Sequence, residues 1–253
     1  AVKSFDNIKI CVTCKLSIWD KFLFINDSKS HLYNELFRTE EIIPSDTNLK
    51  DKPGYVLEEF DDKELNELLP VYINKFGLKG TISDSLRKDL KNGFFLRVFS
   101  EVYSNKEVPQ SINDLQLIKE YITLSLNKIE LDNNVALRIL SKIGEALISA
   151  DYSDNNPFKY EGVTIDTILE KLNLPIDQGI PEGLFSRNIL VKINDEDSVK
   201  VSFYYSEIRD YIICYYSYKL DKLNDEEFKN KLELFFENRI GQSAIYFYSI
   251  NAK

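Results

Sequence analysis

The sequence lacks several residue types on which common active sites depend. Its 253 residues include no methionine, one histidine (His31) and three cysteines. A lone histidine does not support a histidine-based metal site or a Ser-His-Asp triad. Cys11 and Cys14 have the spacing of a metal or redox pair, but there is no second pair. We therefore expect them and Cys214 to be structural thiols in a reducing cytoplasm. Because Ala1 stands where an initiator methionine would be, we expect a fragment or a trimmed product.

Long apolar runs are also missing. No stretch of about 18 consecutive apolar residues occurs, and residues 1–13 carry no basic leader followed by an apolar segment. We therefore expect no membrane span and a cytoplasmic location. The nine glycines and seven prolines are few, which favours a mainly helical chain. The hydrophobic share of 43% and the charged share of 29% are typical of a soluble globular protein with one large or two ordinary domains.

The clearest pattern lies at residues 199–220. Val199, Val201 and Phe203 alternate with polar residues, which predicts a half-buried strand. From Ser206 onward the apolar spacing becomes helical, and Ser206 is expected to cap the first turn. The apolar positions of this helix are Ile208, Tyr211, Ile212, Tyr215 and Tyr216.

A second strand is predicted just before the first. Residues 184–193 end in an apolar run, and residues 194–198 form a polar turn between the two strands. Short helices are expected at 164–172 and within 175–185. The predicted order is two short helices, a strand, a turn, a second strand and a helix. This order predicts a winged helix-turn-helix.

Residues 61–130 show helical periodicity without alternating strands. Asp61 and Glu64 form a capping box that begins the first helix, and Gly77 ends it. Pro70 lies inside this helix and is expected to kink or break it. Three more helices are predicted at 83–91, 94–103 and 113–128.

The last part of the chain is also predicted to be helical. Asp132 or Asn133 caps a helix that carries Leu137 to Ile148 on its apolar face. Asn224 and Glu227 form a second capping box. It begins what we expect to be one continuous helix, with apolar positions Phe228, Leu232, Phe235, Phe236, Ile240, Ala244 and Phe247.

The charge of the chain argues against DNA as a partner. The net charge is −9, whereas a DNA-binding face neutralises phosphates with lysine and arginine. Residues 195–197, at the predicted tip of the wing, are all acidic. In the predicted recognition segment, residues 180–188, the positive charge of Arg187 is balanced by the negative charge of Glu182. We therefore expect protein partners instead.

Four segments, in this order, resemble the C-terminal half of the nucleotide-binding module of STAND-type P-loop NTPases, the NACHT and NB-ARC relatives. Residues 8–15 (IKICVTCK) look like the sensor strand, and residues 55–65 are similar to the segment that opens the helical lid. Residues 90–99 look like the lid element that approaches adenine. Residues 203–211 (FYYSEIRDY) resemble the winged-helix motif Phe-x-His ahead of a helix.

The resemblance implies three nucleotide-contacting positions. Lys15 stands in place of the sensor arginine, Gly93 in place of the lid proline, and Tyr205 in place of the winged-helix histidine that reads phosphate. It implies ATP or ADP as the cofactor of an intact parent protein, and none for this chain alone. It also implies a signalling switch with self-association in the parent, of a kind used in bacterial regulation and anti-phage defence.

The chain lacks the two segments that carry the chemistry of this family. It contains no Gly-x-x-x-x-Gly-Lys-Ser/Thr loop and no Walker B carboxylate. Those segments supply the phosphate and Mg²⁺ contacts, so this chain alone is not expected to hydrolyse ATP. In addition, Lys15 provides a point charge where an arginine provides a planar fork of donors.

Each of the three positions also has a structural interpretation. Lys15 is also interpretable as a solvated lysine after a strand, and Asn92-Gly93 as a plain break between helices. Tyr205 is readable as a core residue in a segment that uses tyrosine freely for packing. The corresponding functional alternative is a free-standing winged-helix protein–protein interaction module that binds no nucleotide.

The predicted fold class is mainly α with a small β component. A helical lid bundle and a winged helix-turn-helix follow remnant strands of an α/β nucleotide-binding domain. The expected divisions are 1–60 for the remnant, 61–130 for the lid, 131–221 for the winged helix, and 222–253 for a C-terminal helix leading to a possible helical repeat.

Overall fold

A computed structural model describes residues 24–25, 28–29, 58–129, 131–150, 162–172, 179–195, 198–237 and 239–252. The chain divides into two compact units, residues 1–58 with 155–159, and residues 59–154 with 160–253. In the first unit, β1 (Phe24–Ile25) and β2 (Ser28–Lys29) pair antiparallel. The predicted sensor strand with Lys15, and residues 55–57 of the segment that resembles the lid opening, lie outside the described residues. The predicted divisions after 130 and 221 fall within the second unit.

Helix α1 (Asp62–Phe76) begins and ends as the sequence predicts. The Asp61 side chain accepts from the Glu64 N–H at 2.7 Å, and Gly77 closes the helix with a left-handed φ of 63°. Of the kink or break predicted at Pro70, the break does not occur, because α1 continues through this residue. Pro70 is exposed, so water can satisfy the carbonyl group that its missing N–H leaves free.

Four further helices complete the first half of the second unit. They are α2 (Asp84–Asp89), α3 (Gly93–Val102), α4 (Asp114–Leu126) and α5 (Asn133–Ser149). Each N-cap side chain accepts a hydrogen bond from a backbone N–H of its first turn, which is why polar residues begin these helices. The N-caps are Ser83, Asn92, Asn113 and Asp132. Gly93 belongs to α3, so the break before this helix comes one residue earlier than predicted.

The second half contains a small sheet. Its order is β3 (Val163–Thr164), β5 (Ser198–Phe203), β4 (Leu190–Asp195), and both pairings are antiparallel. Between β3 and β4 lie α6 (Ile165–Leu172) and α7 (Glu182–Ser186). The chain is therefore mainly helical with a small sheet, as the composition predicts.

Helix α8 (Ser206–Ile212) follows β5 after two residues. Its N-cap is Tyr205, which has an extended backbone and makes no side-chain cap, so the prediction that Ser206 caps this helix is wrong. Ser206 is instead the first helical residue, and its hydroxyl lies 3.2 Å from a Glu207 carboxylate oxygen. The helix widens into a π-helical turn (Ile213–Ser217), and a 3₁₀ turn (Leu220–Lys222) follows.

The C-terminal segment forms two helices, α9 (Asp225–Phe236) and α10 (Arg239–Asn251). The predicted capping box of Asn224 and Glu227 is confirmed. The predicted single helix is wrong, because the chain turns between α9 and α10. A Cβ atom on Gly241 would lie 2.1 Å from the Phe235 carbonyl oxygen, so the backbone at this corner leaves no room for a side chain.

One continuous apolar core joins the elements of the second unit, from Leu65 on α1 to Phe247 on α10. Among the helices that the structure describes, none is both long enough and apolar enough to cross a membrane.

Candidate functional site

Two of the three predicted site residues lie at one place in the fold. Phe94, the residue after Gly93, packs against the Tyr205 ring with centroids 4.9 Å apart and an interplanar angle of 57°. The contact joins the start of α3 to the start of α8. The third position, Lys15, lies outside the described residues.

Asn92 fixes the start of α3. Its Oδ1 accepts from the Phe94 N–H at 3.0 Å and the Phe95 N–H at 3.3 Å. A Cβ atom on Gly93 would lie 3.5 Å from the Phe60 ring, so Phe60 covers the backbone at this point. Phe60 is held there by its own N–H, which donates to the Lys91 carbonyl at 2.9 Å.

Tyr205 sits between aromatic neighbours. The Tyr204 ring lies 4.8 Å from it, edge to face, and the Tyr204 N–H donates to the Ile189 carbonyl at 2.9 Å at the end of the sheet. Tyr204 is 50% exposed, whereas Tyr205 is half-buried. We call Phe60, Phe94, Tyr204 and Tyr205 the aromatic junction. Burial raises the pKa of Tyr205, and the charge of Tyr204 acts in the same direction. Its hydroxyl therefore remains protonated at neutral pH.

The sequence analysis did not single out Arg97 as a site residue. Arg97 lies three residues after Phe94 on α3, so the two side chains share one helix face. Its Nε is 2.5 Å from a Glu101 carboxylate oxygen, and its guanidinium carbon lies 5.4 Å from the centre of the Phe76 ring. The positive charge of Arg97 lowers the pKa of Tyr205 and the negative charge of Glu101 raises it, both less than burial does. The signal that could have revealed Arg97 is its spacing from Gly93 and Phe94.

Tyr121 on α4 lies behind this pair. Its ring is buried, and burial, together with a smaller effect of the Glu101 charge, raises its pKa to about 12. The aromatic junction therefore has a polar edge, made of one arginine, one carboxylate and two protonated phenols.

A second polar group lies deeper, on the other side of α8. Arg209 Nε donates to Asp210 Oδ1 at 2.8 Å, and both side chains are only 6% exposed. Ser243 on α10 donates to Asp210 Oδ2 at 2.6 Å and accepts from Arg209 at 3.0 Å. We call Arg209 and Asp210 the buried ion pair. Sequence reasoning missed it, because charged residues in an amphipathic helix usually indicate its exposed face.

One basic side chain of the sheet is engaged by α7. Lys192 on β4 pairs with Glu182 on α7 at 2.6 Å, and its Nζ lies 4.5 Å from the centre of the Phe185 ring. This lysine therefore contacts both a carboxylate and an aromatic ring of α7.

The aromatic junction can stack a planar ligand and, through Arg97, neutralise an anion. Over the described ranges, no group of three or more His, Cys, Asp or Glu side chains is arranged to hold a metal ion. No family model, curated protein or solved structure matches the chain.

Proposed function

We propose that the chain is the lid and winged-helix portion of a STAND-like signalling ATPase that acts as a nucleotide-dependent switch. The contact between Phe94 and Tyr205 is the observation that carries the proposal. It joins two residues, 111 positions apart, from segments that the resemblance assigns independently to nucleotide contact. A packing role alone does not require that these two segments meet.

The order of elements supports a winged helix. Helix α5, strand β3, helices α6 and α7, and strands β4 and β5 follow one another as helix, strand, two helices and two strands. The first strand pairs with the third, and the third with the second. This order and pairing resemble the winged helix-turn-helix, with α8 following it as in the proposed relatives.

The aromatic junction suits part of a nucleotide. The rings of Phe94, Tyr204 and Tyr205 offer flat apolar surface on which an adenine can stack. Arg97 supplies a positive charge at their edge. ATP, when bound, supplies the γ-phosphate whose presence or loss distinguishes the two states of such a switch. The phosphate-binding loop and the Mg²⁺ ligands would come from the rest of the parent protein.

A winged helix and lid of this kind would favour one state and pass a change to protein partners, including other copies of the parent. Regulation or defence against phage is the biological role that the resemblance suggests.

The decisive experiment is to sequence the gene upstream of the codon for Ala1. We expect a Gly-x-x-x-x-Gly-Lys-Ser/Thr loop within about 200 codons, followed by a Walker B strand. An open reading frame that begins near Ala1, or an upstream region without such a loop, would overturn the proposal.

A free-standing protein-interaction module is the second candidate function. The exposed apolar side chains of the C-terminal helices favour it, because Phe236 is 57% exposed, Tyr246 69% and Ile250 63%. The two candidates differ in nucleotide binding. A full-length protein that binds a fluorescent ADP analogue supports the switch, and one that binds a partner but no nucleotide supports the module.

A further inference from the structure

Arg97 has unused hydrogen-bonding capacity at the aromatic junction. A guanidinium carries five N–H donors in a fixed plane. Its Nε–H is engaged by Glu101 at 2.5 Å. Among the described residues, no acceptor is bonded to either terminal amino group of Arg97. The side chain is 40% exposed, so a ligand can reach these four remaining donors.

Two contacts fix the orientation of the guanidinium. Glu101, one turn along α3, holds the Nε edge, and the Phe76 ring of α1 lies 5.4 Å from the guanidinium carbon. The Glu101 side chain is 22% exposed, so it is less solvated than a carboxylate in an ordinary surface ion pair. An arginine held on one edge and one face presents its terminal amino groups with little loss of side-chain entropy.

Tyr205 cannot supply the positive charge that phosphate binding requires. Under the proposed function, Tyr205 stands where relatives place a phosphate-reading histidine. A protonated phenol can donate a hydrogen bond but cannot neutralise a phosphate. Arg97 lies on the same helix face as Phe94, three residues later, and the Phe94 ring is 4.9 Å from the Tyr205 ring. The residue at the proposed phosphate-reading position is therefore neutral, and a nearby arginine has free donors.

We propose that Arg97 binds a phosphate group of the nucleotide through its terminal amino groups, with Glu101 as the positioning residue that holds its Nε edge. This inference rests on the proposed function and names the residue that replaces the missing histidine charge. Tyr205 adds a neutral hydrogen bond beside it. The charge required for phosphate recognition has thus moved from the winged helix to the lid.

The test is the affinity of the full-length gene product for ADP and for adenosine, measured by isothermal titration calorimetry. We expect Arg97→Gln to weaken ADP binding by about tenfold or more, because a hydrogen-bonded charge is lost. Adenosine binding should be unchanged, since it carries no phosphate. Arg87→Gln is the matched control, because Arg87 is a lid arginine bonded to Asn66, away from the junction.

Two further variants keep the test informative if Arg97→Gln fails to fold. Arg97→Lys retains the charge without the planar fork, and ADP binding should weaken by about threefold to tenfold. Glu101→Gln weakens the charge-assisted bond that holds the Nε edge of Arg97, so ADP binding should weaken by about threefold while adenosine binding stays unchanged. Equal ADP affinity in wild type and both Arg97 variants, or an equal loss for ADP and adenosine, would overturn the role of Arg97 alone. A wild-type protein that does not bind ADP would overturn the proposed function itself.

Discussion

Among the contacts of helix α8, two are of opposite character. At its N-terminal end, Tyr205 meets Phe94 of α3 through half-buried aromatic rings alone. Along its flank, the buried ion pair joins α8 to Ser243 of α10. Just beyond α8, the Cys214 thiol donates to the Ala244 carbonyl at 3.2 Å.

We expect these two contacts to differ in how much free energy their separation costs. Separating two half-buried aromatic rings costs little free energy. Separating the two charges of a buried ion pair costs much more, because each charge then lacks its partner. We expect the contact between α3 and Tyr205 to be the movable one, and α8 with α10 to move as a unit. The predictions below challenge this contrast, beginning with the largest effect.

Replacing Asp210 by alanine should destabilise the protein by about 3–5 kcal/mol, because the Arg209 guanidinium would remain buried without its carboxylate. The measurement is urea unfolding followed by circular dichroism. The control is the double variant Arg209→Met, Asp210→Leu, which should recover much of the loss. A loss below about 1 kcal/mol for the single variant would mean that the ion pair does not anchor α10.

Gly241→Ala should destabilise by about 2–3 kcal/mol, because its Cβ would overlap the Phe235 carbonyl oxygen and force the corner between α9 and α10 to move. Thermal unfolding by calorimetry measures the effect. Gly179→Ala is a useful comparison: its φ is +58°, with no atom within 4 Å of an added Cβ. It therefore tests backbone strain without the clash, and a larger loss there would contradict the steric explanation.

Tyr205→Ala should cost about 1–2 kcal/mol, since it removes the ring contact with Phe94. Tyr205→Phe keeps the ring and should cost less than about 0.5 kcal/mol. Hydrogen exchange should quicken at the start of α3 in the alanine variant and stay unchanged in α10. Equal acceleration in both helices would show that the two contacts of α8 are not independent.

The smallest change is expected at Gly93. Alanine there should stabilise the protein by about 0.5 kcal/mol, because glycine is the less favourable helix residue and the new Cβ would make an ordinary contact with Phe60. Chemical denaturation of wild type and variant side by side gives the difference. Destabilisation by more than about 0.5 kcal/mol would mean that the junction requires a bare backbone at this point.

The features predicted from the sequence are those decided by a few neighbouring residues. The capping boxes at Asp61 and Asn224 need side chains only three positions apart, and both form as predicted. The strand before Phe203 also forms where local pattern predicts it, as β5, but its burial does not alternate as predicted, because Val199 is 40% exposed and Ser202 is buried.

The features that could not be predicted depend on distant partners. Gly241 turns the chain because of its approach to Phe235, and apolar periodicity continues across that corner. Arg209 and Asp210 are buried because Ser243 lies opposite them, 33 positions along the chain from Asp210. Arg97 becomes a candidate binding residue only when Tyr205 is placed beside its helix.

The wide turn at Ile213–Ser217 has a consequence for how the C-terminal helices are aimed. A π-helical turn accommodates one residue more than an α-helical turn. Deleting one residue from this turn would restore a regular α-helix and rotate the residues after it by about 100° around the helix axis. Tyr218, whose ring meets Phe235 at 5.0 Å, would then face another direction. The extra residue in the π-helical turn therefore sets the direction in which α9 and α10 leave α8. Insertions and deletions should be tolerated in exposed loops and not in this turn.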